Sequence, residues 1–218
     1  MKTNTLIVFL VIAVLAVGGF FAYKNLNGQK DSFSNQTSGE TVTSLDEGLS
    51  REVEDLVNRK HPVLENLASD TILVKAVSEA NVKSKNLTEA EIADLDQKWT
   101  KSIANDPWIS GFLTNQVAGS LSSFQEKNPG FVEIFVTDGR GLNVGQTNKT
   151  SDYYQADEDW WVQAFNNGAG KTYHGMLEYD ESAKSESIPI YAPVKDENGK
   201  AIGVMKAVLS ITALRQEL

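Results

Sequence analysis

Apolar residues at helical spacing dominate the stretch that begins near residue 45. The positions that define the stripe fall at intervals of 4, 3, 7 and 4 residues and are Leu49, Val53, Leu56, Val63 and Leu67. This is a heptad seam with Lys60 at the missing position, and it predicts a helix over residues 45–80. The helix either pairs with a second copy or covers the sheet of its own domain. Pro62 is expected to kink it, because proline removes a backbone donor.

Further helices are predicted from capping signals. Thr88 and Glu91 form a capping box, in which each side chain accepts a hydrogen bond from the backbone of the other, so a helix is expected directly after Thr88. Asp106 before Pro107 is a cap followed by a first-turn proline. Residues 110–126 are expected to be helical as well.

Strand patterns follow from residue 131 onward. The expected strands are 131–137, 142–147, 171–179, 186–194 and 201–211, with a short helix over 157–166 between the second and the third. An Asn-Gly pair at 198–199 tolerates the backbone angles of a tight turn and predicts a hairpin between the last two strands. The order of elements predicts one α+β domain (44–218), in which long N-terminal helices (44–130) pack on a five-stranded antiparallel sheet (131–211).

The first part of the chain is apolar and then polar. Residues 6–23, LIVFLVIAVLAVGGFFAY, contain no charge over eighteen positions, which is just long enough for a helix that crosses a bilayer. A cleavable signal peptide is the alternative, because small residues occur at Ala16 and Gly18. The favoured interpretation is an uncleaved membrane anchor, residues 1–23, followed by a flexible linker, residues 24–43. It implies a single pass through the cytoplasmic (inner) membrane, with the domain facing the periplasm or the cell exterior.

Composition and charge argue against several classes of function. The net charge of −9 and the lack of any run of Lys or Arg argue against a nucleic-acid partner. The chain has no cysteine, which excludes disulfides, thiolate metal sites and cysteine nucleophiles. The two histidines, His61 and His174, lie far apart in the chain, and His174 is expected to be structural. Since no catalytic or phosphate-binding motif occurs either, the sequence predicts no enzyme activity, no metal ion and no cofactor.

The densest group of candidate functional side chains is SDYYQADEDWWVQAF, residues 151–165. Tyr153, Trp160 and Trp161 are candidates for the aromatic walls of a ligand site, and Glu158 would supply a charge that suits an amine or another cation. Adjacent residues on a helix point about 100° apart, so one tryptophan is expected in the core and the other at the pocket. The alternative is an aromatic patch that only docks a helix on the sheet.

Two tyrosines on the third predicted strand extend this candidate site. Tyr173 and Tyr179 fall on one face of an alternating strand and either line the same cavity or pack in the core. The neighbouring acids Asp157, Glu158 and Asp159 are expected to be solvated on a surface loop rather than catalytic.

An ordered set of motifs spans residues 131–211. An Asp-Gly turn at 138–139 follows the first strand, and a tyrosine-containing stretch leads to Trp160-Trp161. A tyrosine-bearing third strand comes next, and then Pro-Val-x-Asp-x-x-Gly, residues 193–199, precedes an Ile-Gly-Val strand. This set resembles the extracytoplasmic Cache domain, a PDC-type, PAS-like sensor module. The resemblance implies a domain outside the membrane that binds small ligands, as in chemoreceptors, sensor kinases and cyclic-dinucleotide enzymes.

The chain departs from the amino-acid-binding branch of that family at both ligand anchors. In that branch a tyrosine is followed five residues later by an arginine and then by a tryptophan–aromatic pair; the matching residues here are Tyr153, Glu158, Trp160 and Trp161. Glu158 would repel the carboxylate that the arginine holds, and the aspartate expected on the last strand falls in the uncharged stretch 208–210. The resemblance therefore implies a small organic ligand, an amine or a neutral solute rather than an α-amino acid.

Proteins of this family usually continue through a second membrane helix into a kinase, cyclase or methyl-accepting module, whereas this chain ends at Leu218. The expectation is a membrane-anchored sensor domain without its own output module, in which residues 6–23 lie in the membrane and a membrane signalling partner receives the signal. Helix 45–80 would be available for a homodimer. The alternative is a structural or interaction module of the cell envelope that binds no ligand and uses the same helix for assembly.

Overall fold

The computed structural model describes residues 49–180 and 185–218. The predicted anchor (1–23) and linker (24–43) lie outside the described residues, so both stay predictions. Within the described ranges, no helix combines the length and the apolar composition that crossing a bilayer requires. These residues all belong to one compact unit.

Five α-helices precede the sheet and two accompany it within the described residues. They are α1 (Arg51–Ala68), α2 (Thr71–Ser84), α3 (Glu89–Lys101), α4 (Pro107–Thr114), α5 (Gln116–Lys127), α6 (Asp159–Phe165) and α7 (Ile211–Arg215). The capping box of Thr88 and Glu91 is confirmed at the start of α3, and the Asp106–Pro107 start is confirmed for α4.

The single helix predicted over residues 45–80 is wrong, because the chain forms α1 and α2 with a break between them. The break falls at Ser69 and Asp70, where the Asp70 carboxylate accepts a hydrogen bond from the backbone N–H of Ile72 and caps α2. Pro62 lies inside α1, which continues as helix to Ala68. A capping aspartate, and not the proline, therefore ends the first helix.

The helix predicted over residues 110–126 is also divided, into α4 and α5. Asn115 lies between them: its side-chain oxygen accepts from the backbone N–H of Ala118, and its amide nitrogen donates to the carbonyl oxygen of Val144. The same side chain thus starts α5 and attaches it to the sheet.

The described strands form one antiparallel sheet. They are β1 (Phe131–Asp138), β2 (Asn143–Gln146), β3 (Tyr173–His174), β4 (Glu178–Asp180), β5 (Ser185–Lys195) and β6 (Ala201–Ser210). The order across the sheet is β2-β1-β6-β5-β3, and β4 pairs with β5 beyond β3. The α+β class and the antiparallel sheet are confirmed, and so is the hairpin that joins β5 to β6.

The prediction of five strands is wrong because residues 171–179 do not form one strand. His174 pairs with Ile190, and Glu178 pairs with Ser187. The chain advances four residues from His174 to Glu178 but only three along β5, so the regular pairing is interrupted between them. The interruption lies opposite Pro189, which has no N–H to donate to a neighbouring strand. The sheet therefore has two short edge strands, β3 and β4, in place of one.

The main hydrophobic core lies between the helices and one face of the sheet. α1 packs on β5 and α2 packs on β1. Of the predicted stripe, Val53, Leu56 and Leu67 are buried in this core, whereas Val63 is 38% exposed. The stripe therefore covers the sheet of its own domain, which is one of the two outcomes that the heptad spacing allows. A homodimer through the rest of the helix stays a prediction.

The turn after β1 attaches the sheet to α2. The buried Asp138 carboxylate accepts hydrogen bonds from the backbone N–H groups of Arg140 (2.9 Å) and Leu142 (3.0 Å), and its second oxygen accepts one from the Ser84 hydroxyl (2.6 Å). One turn earlier on α2, the Asn81 side chain accepts from the N–H of the turn residue Gly139 at 2.8 Å. The Asp-Gly turn is thus held against the end of a helix.

Candidate ligand-binding site

One row of side chains crosses the sheet on the face opposite α1 and α2. Each member is the direct cross-strand partner of the next, in the order Gln146 (β2), Phe135 (β1), Lys206 (β6), Tyr191 (β5) and Tyr173 (β3). Direct partners in an antiparallel sheet project from the same face. Both chain neighbours of Phe135 are buried in the helix-side core, so the row lies on the other face. These five residues are called the cross-strand row below.

Helix α6 covers this row with its two tryptophans. The Trp160 ring stacks on Tyr191, with ring centroids 5.0 Å apart and planes 12° from parallel. The Tyr173 hydroxyl donates to the carbonyl oxygen of Trp160 at 2.9 Å. Trp161 is buried, and its indole N–H donates to the Thr137 hydroxyl of β1 at 2.8 Å. Trp161 is thus the core residue of the pair and Trp160 the half-buried one, while contact of Trp160 with a ligand stays a prediction.

Two members of the row, Lys206 and Gln146, are polar. The Lys206 ammonium is 5.4 Å from the centroid of the Trp160 ring, a cation–π distance. Gln146 is fully buried, and neither its amide oxygen nor its amide nitrogen has a hydrogen-bond partner among the described residues. Buried amides in folded proteins are nearly always hydrogen-bonded, so the Gln146 amide needs a partner from outside the described residues.

Glu158 precedes α6 on the same side. Its carboxylate makes no capping hydrogen bond to the helix. Although the residue as a whole is exposed, partial burial of its carboxyl group raises the pKa, and the charges of Asp152 and Asp157 raise it further. The Lys206 charge lowers this pKa and so acts in the opposite direction.

The structure gathers four of the six predicted site residues and separates the other two. Glu158, Trp160, Trp161 and Tyr173 lie around the row. Tyr179 on β4 is 58% exposed. Tyr153 lies among the helices, where it contacts Trp99, Trp108 and Phe112. The predicted shared strand face of Tyr173 and Tyr179 fails because the strand between them is interrupted.

Four members of the row were missed by the sequence analysis. They are Phe135, Gln146, Tyr191 and Lys206. One of them left a signal: Lys206 is the only charged residue in the otherwise uncharged run 201–211. A single lysine in the middle of a buried strand is unusual, so this position is a candidate for a functional residue.

The two histidines, distant in the chain, meet on the helix side of the sheet. Their ring centroids are 5.5 Å apart, and Nε2 of His174 lies 3.0 Å from a carboxylate oxygen of Glu54 on α1. Burial lowers the pKa of His61, and the charge of His174 lowers it further. The contacts tie β3 to α1. Within the described ranges, no group of three or more His, Asp or Glu side chains is placed to hold a metal ion.

Asp152→Asn is expected to raise the melting temperature at pH 7 and to have little effect at pH 3.5. Burial raises the pKa of Asp152 above its ordinary 3.8, with the charges of Asp96 and Asp157 contributing. A carboxyl with a raised native pKa stabilises the fold when it is protonated, and that stabilisation is lost as the pH rises through the native pKa. Asparagine keeps an acceptor for the Gln155 amide. Thermal unfolding at the two pH values measures the difference, and an equal shift at both would contradict this account.

Comparison with known proteins finds neighbours only among solved structures. No protein-family model matches the chain, and no curated protein sequence matches it. The chain is similar to the extracellular domain of vpHK1S-Z8, a protein assigned as a histidine kinase, with 12% identity and a TM-score of 0.47 over 77% of this chain and 56% of that one. It is also similar to the sensory domain of the Campylobacter jejuni chemoreceptor Tlp3 with isoleucine bound (15% identity, TM-score 0.38, 79% of this chain and 67% of that one).

A third similar structure is the sensor domain of the V. cholerae histidine kinase DctB, with 13% identity and a TM-score of 0.41 over 76% of this chain and 57% of that one. The chain therefore spans little more than half the length of vpHK1S-Z8 and DctB in these structures. All three structures are extracellular or sensor domains of histidine kinases or of a chemoreceptor.

Proposed function

We propose that the chain is an extracytoplasmic sensor domain, anchored by residues 6–23, that binds a small polar organic ligand between the cross-strand row and segment 151–165. The observation that carries this proposal is the row itself. An ammonium group (Lys206) lies 5.4 Å from the centroid of the Trp160 ring, and a buried amide without a partner among the described residues (Gln146) is the cross-strand partner of Phe135, whose ring contacts Trp160. Aromatic walls with a few convergent polar groups are typical of small-molecule sites.

The charges of the site suggest the class of ligand. Glu158 suits a donor such as an amine or a hydroxyl, and Lys206 suits an acceptor such as a carbonyl or a carboxylate. Glu158 alone would repel a carboxylate, but the pairing of β6 with β1 and the contact of Lys206 with the Trp160 ring bring a positive charge to the same face of the sheet. The ligand class therefore widens from amines and neutral solutes to small molecules that carry both a donor and an acceptor.

The proposed mechanism is non-catalytic and uses contacts that join α6 to α2. Trp161 donates to the Thr137 hydroxyl, which in turn donates to the carbonyl oxygen of Val204 at 3.2 Å. Thr137 immediately precedes Asp138, whose carboxylate accepts from Ser84 at the end of α2. A ligand that orders segment 151–165 would favour one arrangement of this connected set, and the change would pass through the helices to a signalling partner.

The experiment is a ligand screen on the full chain, labelled with 5-fluorotryptophan and held in lipid nanodiscs. The chain has four tryptophans, of which Trp160 and Trp161 lie at the row while Trp99 and Trp108 lie among the helices. Amines, amino acids, sugars and organic acids are screened by ¹⁹F NMR, with single Trp→Phe variants for assignment. A ligand of the proposed site is expected to move the first pair of resonances and to leave the second pair in place.

Two lysine variants test the role of the row. Lys206→Met removes the ammonium and keeps most of the stem, and it is expected to weaken a hit about tenfold or more, as loss of a charge-assisted hydrogen bond does. Lys101→Met, at the exposed end of α3, is the matched control and is expected to leave the affinity unchanged. The proposal fails if the panel gives no hit at the row or if hits bind Lys206→Met as tightly as the parent protein.

A second candidate function is an interaction module that binds no ligand. It is favoured by the close stacking of Trp160 on Tyr191, in which each ring already packs against the other without a ligand. In that case α6 is only a structural cover, and the exposed surface of α1 around Val63 is available for assembly. A screen without hits, combined with self-association of the full chain in sedimentation experiments, would favour this candidate.

A further inference from the structure

A cavity of about 670 Å³ lies on the other side of the domain, between α2, α4, the start of α5 and β2. Its volume falls within the range of about 300–1,000 Å³ that small-molecule sites occupy. Three aromatic residues line it, namely Trp108, Phe112 and Tyr153. No member of the cross-strand row lines this cavity, so it is a separate place from the site proposed above.

The aromatic wall of the cavity is a packed and supported cluster. The ring centroids of Trp108, Phe112 and Tyr153 are 5.6–5.9 Å from one another. Behind them lies the fully buried Trp99, whose indole N–H donates to the carbonyl oxygen of Thr150 at 2.9 Å. The backbone N–H of Tyr153 donates to Asp96 of α3 at 2.7 Å, which holds the backbone from which this ring projects. The wall is therefore built from elements that hold one another in place.

A buried acceptor in the cavity lining has no partner among the described residues. Asn143 is 2% exposed, and its amide nitrogen donates to the Thr150 hydroxyl (2.8 Å) and to the carbonyl oxygen of Asp152 (3.0 Å). These two bonds fix the orientation of the amide. Its oxygen has no hydrogen-bond partner within residues 49–180 and 185–218. A donor from outside the described residues is the group that this oxygen needs.

The charged residues at the cavity have both signs: the Lys98 ammonium lies 4.4 Å from the centroid of the Trp108 ring, and the Arg140 guanidinium donates to the carbonyl oxygens of Ser84 and Leu87, which both line the cavity. Glu79 and Lys83 are exposed on α2 and offset each other, whereas the Asp138 carboxylate is buried in the lining. Its field reaches the aromatic wall: burial raises the pKa of the Tyr153 hydroxyl, and the charge of Asp138 raises it further. The aromatic faces, one of which already attracts the Lys98 cation, the buried Asp138 carboxylate and an amide oxygen without a partner among the described residues together favour a cation that carries N–H donors.

We propose that this cavity is a second ligand site, which takes a small organic ammonium ion. The aromatic faces of Trp108, Phe112 and Tyr153 surround the cation, and the Asn143 oxygen accepts a hydrogen bond from its N–H group. The Asp138 carboxylate supplies the compensating charge. The site goes beyond the ligand site of the cross-strand row and does not depend on it.

The test uses the same fluorotryptophan-labelled full chain with a matched pair of probes. Benzylamine is a cation at neutral pH, and benzyl alcohol is its neutral counterpart of nearly equal size. Benzylamine is expected to shift the Trp108 and Trp99 resonances saturably, with benzyl alcohol binding at least about tenfold more weakly, because the cation–π and charge contributions are lost. Trp160 and Trp161 serve as internal reporters of the other site.

Two glycine variants test the cavity, one designed to fill it and one as its control. Neither variant changes a polar group of the lining. Gly111 of α4 lines the cavity, and a Cβ added there would meet no atom within 4 Å, so the position accepts a side chain and the ring of Gly111→Phe is expected to occupy the space. Gly119 of α5 has equally open surroundings and does not line the cavity, so Gly119→Phe is the matched control. Binding is expected to fall at least about tenfold in the first variant and to stay unchanged in the second.

The possible outcomes separate this proposal from the proposed function. A saturable shift at Trp108 and Trp99 that Gly111→Phe abolishes supports the cavity site, whatever happens at the row. Shifts confined to Trp160 and Trp161 overturn the cavity site and support the row. Equal effects of the two probes, or full binding by Gly111→Phe, overturn the cavity site as well. So does the absence of any shift, which includes the case in which another part of the chain occupies the cavity.

Discussion

Gly203→Ala is expected to lower the free energy of unfolding by about 4 kcal/mol, in the range of the most disruptive single substitutions. Gly203 lies on β6, and a Cβ added there would overlap the backbone carbonyl oxygen of Thr137 and approach Val77 of α2 to 2.8 Å. The carbonyl belongs to the ladder between β1 and β6, so it cannot move away without breaking the pairing of the two strands. Urea unfolding of the full chain, followed by tryptophan fluorescence, measures the loss.

The matched control for this substitution is Gly119→Ala. Gly119 lies inside α5, and an added Cβ would meet nothing within 4 Å. Alanine has a higher helix propensity than glycine, so this variant is expected to be more stable by about 0.5–1 kcal/mol. The same change of one methyl group thus has opposite signs at the two positions. If Gly203→Ala unfolds at the same urea concentration as the parent protein, α2 and β1 do not approach β6 as closely as these distances indicate.

Asp138→Ala is expected to lower the free energy of unfolding by about 4 kcal/mol, because it leaves three donors without their acceptor. These donors are the backbone N–H groups of Arg140 and Leu142 and the hydroxyl of Ser84, which is itself buried. The carboxylate connects the end of β1, its turn and the end of α2. Its loss therefore weakens the attachment of a helix as well as a turn.

Asp138→Asn separates the lost hydrogen bonds from the lost charge. The asparagine oxygen still accepts from the two backbone N–H groups, and the Ser84 hydroxyl can rotate to accept from the asparagine amide. The expected loss is about 2 kcal/mol, roughly half that of alanine. Chemical denaturation of both variants gives the comparison. Equal losses would show that the hydrogen bonds of the turn contribute little and would contradict the role assigned to Asp138.

Interactions that span only a few residues were predicted well from the sequence. The capping box of Thr88 and Glu91 is found, because both partners lie within one turn of helix. The short helix predicted over residues 157–166 is found as α6, which ends at Phe165, directly before Asn166 and Gly168 with positive φ. Such patterns depend on local backbone geometry, and the residue types alone reveal them.

The errors in the helices and strands have two origins, a local cap that the apolar period concealed and a pairing with a distant strand. The break between α1 and α2 depends on Asp70, which caps α2 and also accepts a hydrogen bond from Ser120 of α5 at 3.4 Å. The apolar stripe continues through this break, so its period gives no sign of it. The split of the third strand depends on its partner, since the interruption lies opposite Pro189 of β5.

The cross-strand row shows the same limit at the candidate site. Its members come from five strands, and Phe135 and Lys206 are adjacent in space although 71 positions separate them in the chain. Alternation along each strand predicts which residues share a face, but the register between strands is set by the packing of the whole sheet. The sequence therefore pointed to Tyr173, Trp160 and Glu158 and missed the lysine that changes the charge of the site.

The sequence by itself determined the α+β class, the caps, the turns and the resemblance to a sensor module, because each of these depends on neighbouring residues or on their order. Only the tertiary structure decided how the dense segment 151–165 is divided between the two sides of the domain. The backbone N–H groups of Tyr153 and Tyr154 donate to the Asp96 carboxylate of α3. Tyr154 also forms an isolated antiparallel β-bridge with Leu142, so this part of the segment is extended. The Tyr153 ring lies among the helices, and α6 carries Trp160 to the opposite face of the sheet. The aromatic residues that are close together in the sequence are thus divided between the cross-strand row and the cavity beside α4. Long-range pairing, and not composition, sets where each ring lies.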